Sequence, residues 1–296
     1  MEKYRKNKKV IILFLLPALL IYVLLEIIPV IQSFYFSFFD WPGIQGVPLK
    51  FVGLRNFIDL LKSKLFLTSI KNILWFVGLS LLTQLPIGFL FAILLSNFCK
   101  GYRFFKASYF IPLVLPITAT SLLWRFILFP NEMGVLNHIL ISLGLGNLAT
   151  GWLINKSTAM TAVILVTAWG GTAYYLTIGF AAVTGIPDDV LESAEIDGAS
   201  GVKKVFYITI PMVWEAIKIS IIMIITGVLK IFDIVFVMTE GGPNGLTHVP
   251  ATLMYYEAFK YNHYGLGSAI STIIFLMSII ITVISLKLMT GEKYEY

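Results

Sequence analysis

Ile186-Pro187-Asp188-Asp189-Val190-Leu191-Glu192-Ser193-Ala194-Glu195-Ile196-Asp197-Gly198-Ala199-Ser200-Gly201 carries five carboxylates and lies between two apolar runs, 159–183 and 214–238. Each run is long enough to cross a bilayer as a helix, which takes about 20 residues. Four more such runs occur, at 11–31, 73–96, 107–129 and 266–289. Backbone inside lipid must satisfy its own hydrogen bonds, so only helices or a closed barrel can cross. These runs are too long and too evenly apolar for barrel strands, which alternate with period two. The expected fold is therefore all-α: a polytopic membrane protein with six transmembrane helices, the acidic stretch lying between the fourth and fifth.

Composition agrees. Of 296 residues, 58% are hydrophobic and 13% charged, with a mean hydropathy of +0.86. Soluble domains carry about 25% charged residues. Disorder, a secreted disulfide scaffold and an ordinary cytosolic enzyme are excluded. Cys99 is the only cysteine, so no internal disulfide can form. The net charge of +6 is read as lysine and arginine at membrane borders, not as a nucleic-acid surface.

Those cations also orient the chain. With the N-terminus inside, eleven lysines and arginines fall in the 57 inner residues (1–10, 97–106, 184–213, 290–296). Seven fall in the 97 outer ones (32–72, 130–158, 239–265). Both termini are therefore expected in the cytoplasm. Residues 1–10 form a basic cytoplasmic N-terminus and 11–296 one six-span domain. The leader resembles that of a signal peptide, but its apolar run is too long and ends without a small-x-small cleavage site, so it reads as a retained helix.

Much chemistry is missing. There is no Gly-Lys pair, hence no Walker A loop. His138, His248 and His263 lie in outer loops without metal-ligand spacing and read as solvated residues. Neither His-Glu-x-x-His nor Gly-x-Ser-x-Gly occurs. The second and fourth spans hold no charge, whereas proton-driven transport usually needs buried ionisable groups. The chain reads as a non-enzyme whose energy comes from elsewhere.

The inner loop 184–213 has a readable shape. Pro187 suits a first helical turn, and Asp188 and Asp189 complement the positive helix end. Gly198 supplies the freedom a helix stop needs. A second helix is expected over 200–209, its stripe formed by Val202, Val205, Phe206 and Thr209. On helix signals alone this is an ordinary interfacial loop. Its residue pattern says more. Glu192-Ser193-Ala194, Asp197-Gly198-Ala199, Phe206, Ile208, Ile210 and Pro211 resemble the EAA motif of membrane subunits in binding-protein-dependent ABC importers, with Ser193 where alanine is usual.

The resemblance covers most of the chain. Phe51-Val52-Gly53-Leu54-Arg55-Asn56-Phe57, Pro112-Leu113-Val114-Leu115-Pro116 with Trp124, Gly134-Val135-Leu136-Asn137, Thr239-Glu240-Gly241-Gly242-Pro243 and Tyr256-Glu257-Ala258-Phe259 are similar to the carbohydrate branch of these permeases. The type resembled is the larger maltose permease subunit, without its extra N-terminal spans and outer domain. This implies a type I permease working with a second homologous permease, two ATPase subunits and an extracytoplasmic solute-binding protein in a prokaryotic plasma (inner) membrane. It implies no cofactor on this chain, ATP and Mg2+ being held by the ATPases. The loop would act as a coupling helix, with Glu192, Ser193, Ala194, Asp197, Gly198, Ala199, Phe206 and Pro211 as the contact set. Glu192 would make a charge-assisted contact, and Phe206 would be the apolar anchor.

The same resemblance places a sugar path. Trp169 lies 23 residues before Glu192, where the maltose subunit has a sugar-contacting tryptophan, and Gly170, Gly171 and Tyr174 fall on neighbouring contact positions. Indole and phenol faces stack on sugar rings, although helix packing is the plainer account of such aromatics. In span five the matching positions are Ile224, Gly227, Val228 and Ile231, apolar where the maltose pattern is polar. Lys230 and Asp233, three apart, read as an internal ion pair or as direct sugar contacts. Glu26 and Arg125 read as snorkelling to the interface. A glycerol phosphate or polyamine permease, or a non-transporting membrane anchor, are the alternatives.

Overall fold

The computed structural model describes residues 8–97 and 102–289. Residues 1–7, 290–296 and 98–101, the last from the basic 97–106 segment used to orient the chain, lie outside them. Among the described residues, four helices are long and apolar enough to cross a membrane: α1 (Ile11–Phe36), α3 (Lys64–Asn97), α7 (Ala159–Thr184) and α12 (Tyr264–Met289). Two bent helix pairs raise the number to six if each counts as one span.

Several spans differ from the apolar runs. The helix α1 continues to Phe36 through a π-helical turn, Val23–Ile27. Glu26 lies in that turn, ten residues before the helix end, about 15 Å along its axis at 1.5 Å per residue. The third span is not one rod over 107–129: α4 (Tyr102–Val114) and α5 (Ile117–Ile127) meet at 111°. Pro116 removes a backbone donor and pushes Leu115 out of the helical region.

The fifth span is also broken. Between α10 (Trp214–Leu229) and α11 (Asp233–Thr239) the chain leaves helical geometry at Lys230–Phe232. Lys230 and Asp233 therefore do not share a helical face. Both are exposed, and no ion pair joins them.

The chain forms two compact units. In unit one (1–63 and 253–275), a two-stranded hairpin pairs β1 (Phe39–Asp40) with β2 (Lys50–Phe51). Asn56, on α2 (Arg55–Lys62), donates to the Ser37 and Phe39 carbonyls at 2.8 and 3.0 Å. Trp41 stacks on Phe36 and meets Tyr264 edge-on.

In unit two (64–252 and 276–296), α3 and α7 pack along most of their length. Membrane helices approach closely where small residues meet, and here Gly88 lies on Tyr175 and Leu176, and Gly179 on Phe89 and Ala92. The main core surrounds Ile73, Phe76, Val163, Ile164, Ile224, Val228 and Val235. A smaller cluster, Phe89, Ile93, Val183, Ile186, Val213 and Ile217, lies beneath the acidic loop.

Candidate functional site

The acidic loop is a helix, a stop and a second helix. Pro187 caps α8 (Asp188–Ile196), with Asp188 and Asp189 in its first turn. The Ala199 N–H bonds the Ala194 carbonyl at 2.9 Å and the Gly198 N–H bonds Glu195 at 3.1 Å, the paired bonds of a Schellman cap. Gly198 reaches this with φ +81°, and Gly201 follows at φ +55°. The second helix, α9 (Val202–Met212), starts two residues later than 200 and runs three past 209, through a π-helical turn, before meeting α10 at 69°.

One ion pair ties the two helices together: the Lys204 ammonium lies 2.8 Å from Glu195. Val190, Leu191 and Val205 pack on the small apolar cluster, as does Met212. Ala194 is buried within the chain, and the Ser193 hydroxyl bonds back to Asp189 at 2.8 Å. The outward side presents Glu192, Asp197, Ile196, Val202, Phe206 and Tyr207, with Phe206 63% exposed. A Cβ on Gly198 would meet nothing within 4 Å. The glycine is needed for its backbone angle, and not for close packing inside this chain. Pro211 is exposed at the end of α9.

The residues of the expected solute path divide by face. Trp169 borders a cavity of about 470 Å³ between α3, α4 and α7, with Thr83, Phe91, Ser108, Tyr109 and Thr172. Tyr174 is exposed on a different face of α7 and packs edge-on against Tyr175. Gly170 faces open space, whereas any side chain at Gly171 would overlap Gln84. Gly227 is open, but Ile224 and Val228 are buried in the main core, with Ile231 packed against it. Their side chains hold helices together and do not line an open face.

Three further residues were not expected. The Arg125 guanidinium donates to the Val237 carbonyl at 3.3 Å, near the end of α11. Lys218, inside the fifth span, is buried and paired with Glu215 at 2.5 Å. The i,i+3 spacing of that pair was the available signal. Asn137, on α6 (Val135–Ser142), is fully buried. It accepts from the Trp152 indole at 2.8 Å and the Thr150 N–H at 3.3 Å, and donates to the Thr150 carbonyl at 2.9 Å.

His248 is likewise buried and not solvated. Its ring lies against Gly241 and 3.1 Å from the Thr252 hydroxyl, while Asn72 donates to the Leu246 and His248 carbonyls. His138 and His263 are exposed, the latter 2.9 Å from Glu257. Burial lowers the His248 pKa below its ordinary value. As pH falls, the unfolded chain takes up that proton first, near pH 6.5. The fold therefore keeps this contribution above about pH 6.5 and loses it below. Thermal unfolding of the solubilised protein should show a midpoint that drops between about pH 7.5 and pH 5.5, with a shallower drop in His248→Gln.

The sequence from 84 to 290 matches the model of the family described as binding-protein-dependent transport system inner membrane component. The chain belongs to this family. Among relatives of this permease, the probable ABC transporter permease YurN of Bacillus subtilis is 32% identical, over 98% of this chain and 99% of its own. The trehalose/maltose transport permease MalF of Thermococcus litoralis is 30% identical, over 96% and 95%. The permease also shares its fold with a chain of a bacterial ABC transporter that imports the acidic polysaccharide alginate: TM-score 0.84, 22% identity, covering 98% of this chain and all of the other. A permease of this family is a membrane component, and in such importers ATP is used by partner subunits.

Proposed function

We propose that this permease belongs to a sugar importer, spans the cell membrane with both termini in the cytoplasm, and forms the path together with a second, homologous permease. An external binding protein delivers the sugar. Two ATPase subunits, which hold the ATP and Mg2+, engage the loop 184–213. In that engagement the carboxylate of Glu192 takes a charge-assisted contact, Phe206 seats in an apolar groove, and Ser193, Ala194, Asp197, Ala199 and Pro211 shape the helix and its ends. Gly198 holds the cap that fixes the angle between α8 and α9. A rigid pair of helices resting on its own apolar cluster moves as one piece, so closure of the ATPases is passed to the spans.

The observation that carries the sugar reading is the cavity at Trp169. It combines three aromatic rings with three hydroxyl-bearing threonine and serine residues, and among the described residues no charged side chain lines it. A phosphate-bearing or cationic solute would need charged partners there, so the neutral solute is preferred. The trehalose/maltose assignment of a relative agrees. Lys230 and Asp233, exposed at the break in span five, are costly in lipid and face the path or the second permease, as do Gly170, Tyr174 and Gly227.

The test is uptake of trehalose, maltose and maltotriose by the assembled transporter in proteoliposomes. Trp169→Ala should lower uptake several-fold, since one stacking contact contributes about 1 kcal/mol, with basal ATPase activity intact. Tyr174→Phe should cost less. If Trp169→Ala prevents assembly, the residue is a packing element instead. Orientation has its own check: a reporter fused after Leu61 or Gly146 should be outside, and one after Gly201 inside. Finding residue 201 outside would reject the coupling role.

A further inference from the structure

One side of α2 is apolar and exposed, and nothing above uses it. Around this helix Asn56 and Leu60 are buried, while Arg55, Asp59 and Lys62 are exposed. A third side carries Leu54, the cap residue, with Ile58 and Leu61, exposed by 62%, 48% and 63%. At 3.6 residues per turn these three fall within about 60° of arc. Phe51, at the end of β2, is 69% exposed. A contiguous apolar stripe of this kind marks a surface that a membrane or a partner covers.

Two observations say what covers it. The first is depth. Asn56 bonds the Ser37 and Phe39 carbonyls, so α2 is fastened to the residues that directly follow the end of α1 at Phe36. Residues 34–41 there hold six aromatics, Phe34, Tyr35, Phe36, Phe38, Phe39 and Trp41, the composition of a span where it meets water. That junction puts α2 at the level of the lipid headgroups. The second is charge. Five of the seven outer lysines and arginines, Lys50, Arg55, Lys62, Lys64 and Lys71, fall within 22 residues, although cations are ordinarily scarcer on the outer side. Arg55 pairs with Asp59 at 3.6 Å, and Lys50 and Lys62 stand exposed. An apolar stripe flanked by cations is the pattern of a helix lying in the membrane interface, where long lysine stems reach up to phosphate.

We propose that α2 is an interfacial anchor: Leu54, Ile58 and Leu61, with Phe51, sink into the outer leaflet beside the end of α1, and Lys50 and Lys62 take phosphate oxygens of anionic lipid. Only the choice of leaflet rests on the orientation proposed above, and the reporter after Leu61 tests that separately.

The test places a nitroxide spin label at Ile58→Cys, Leu61→Cys and, for comparison, Asp59→Cys, each in a Cys99→Ser background, in the assembled transporter in phospholipid vesicles. Collisions with oxygen, which concentrates in the bilayer, are compared with collisions with a water-soluble nickel chelate. The labels at positions 58 and 61 should favour oxygen several-fold more than the label at 59. Exchanging part of the phosphatidylcholine for phosphatidylglycerol should raise that preference, and Lys50→Gln with Lys62→Gln should remove the rise. Nickel collisions as frequent at 58 and 61 as at 59 would put the stripe in water and overturn the anchor. Shielding of 58 and 61 from oxygen and nickel alike would mean that a protein, the second permease or the binding protein, covers the stripe, and would overturn it too. An oxygen preference indifferent to phosphatidylglycerol would overturn the role given to the two lysines.

Discussion

Gly198→Asp is expected to leave the chain in the membrane with its partners and to cut solute uptake by on the order of tenfold or more. At φ +81° a side chain is strained, by about 1–2 kcal/mol for most residues and less for aspartate. The larger effect is charge. A carboxylate at this position stands at the negative end of α8, beside Asp197, where anions are disfavoured. The cap then loosens, and the angle between α8 and α9 is no longer fixed. Two controls separate strain from charge. Gly198→Asn tolerates the backbone angle and adds no charge, so it should retain most transport. Gly198→Val adds strain alone and should fall between the two. The decisive readout is the ratio of binding-protein-stimulated to basal ATPase activity. If Gly198→Asp keeps that ratio, the loop is not the mechanical link.

Asn137→Ala should be the most destabilising single change outside the spans. It leaves the Trp152 indole N–H and the Thr150 N–H and carbonyl without partners in a buried place. Each unsatisfied buried group costs about 1–3 kcal/mol, so the three together should cost at least about 3 kcal/mol, in the upper range of single substitutions. The solubilised protein should unfold at a clearly lower temperature, and Trp152 emission should shift as its ring is released. Asn137→Asp keeps the acceptor facing Trp152 but loses both amide donors, so it should keep the emission closer to normal while still losing stability. An unchanged melting temperature in Asn137→Ala would mean that the loop 130–158 is held by its apolar contacts alone.

The amino-acid sequence by itself determined the features whose causes are local. Apolar runs long enough for a bilayer gave the helices, and α7 matches its run almost to the residue. Pro187, the paired aspartates and Gly198 set the start, the charge and the stop of α8, because a helix cap depends on residues within one turn. Glu192 and Phe206 were singled out by the family resemblance and not by periodicity, and the stripe expected over 200–209 divides: Val205 packs inward and Thr209 is buried, while Val202 and Phe206 are exposed. Tertiary structure alone decided the rest. The apolar run 214–238 gives no sign of its break, since hydropathy does not distinguish a helix from an interrupted one. Separating Lys230 from Asp233 depended on that break. Gly171 and Gly170 look alike as a pair, yet Gln84, 87 residues earlier in the chain, makes one a packing contact and leaves the other open. His248 read as a solvated loop residue and Asn137 only as one member of a motif, neither with any sign of burial, because their burial is set by partners the chain brings from elsewhere: Asn72 under the His248 loop, and Trp152 against Asn137. Local capping and hydrophobic length are written in neighbouring residues. Burial, pairing and cavities are properties of distant residues meeting, and only the folded chain brings those together.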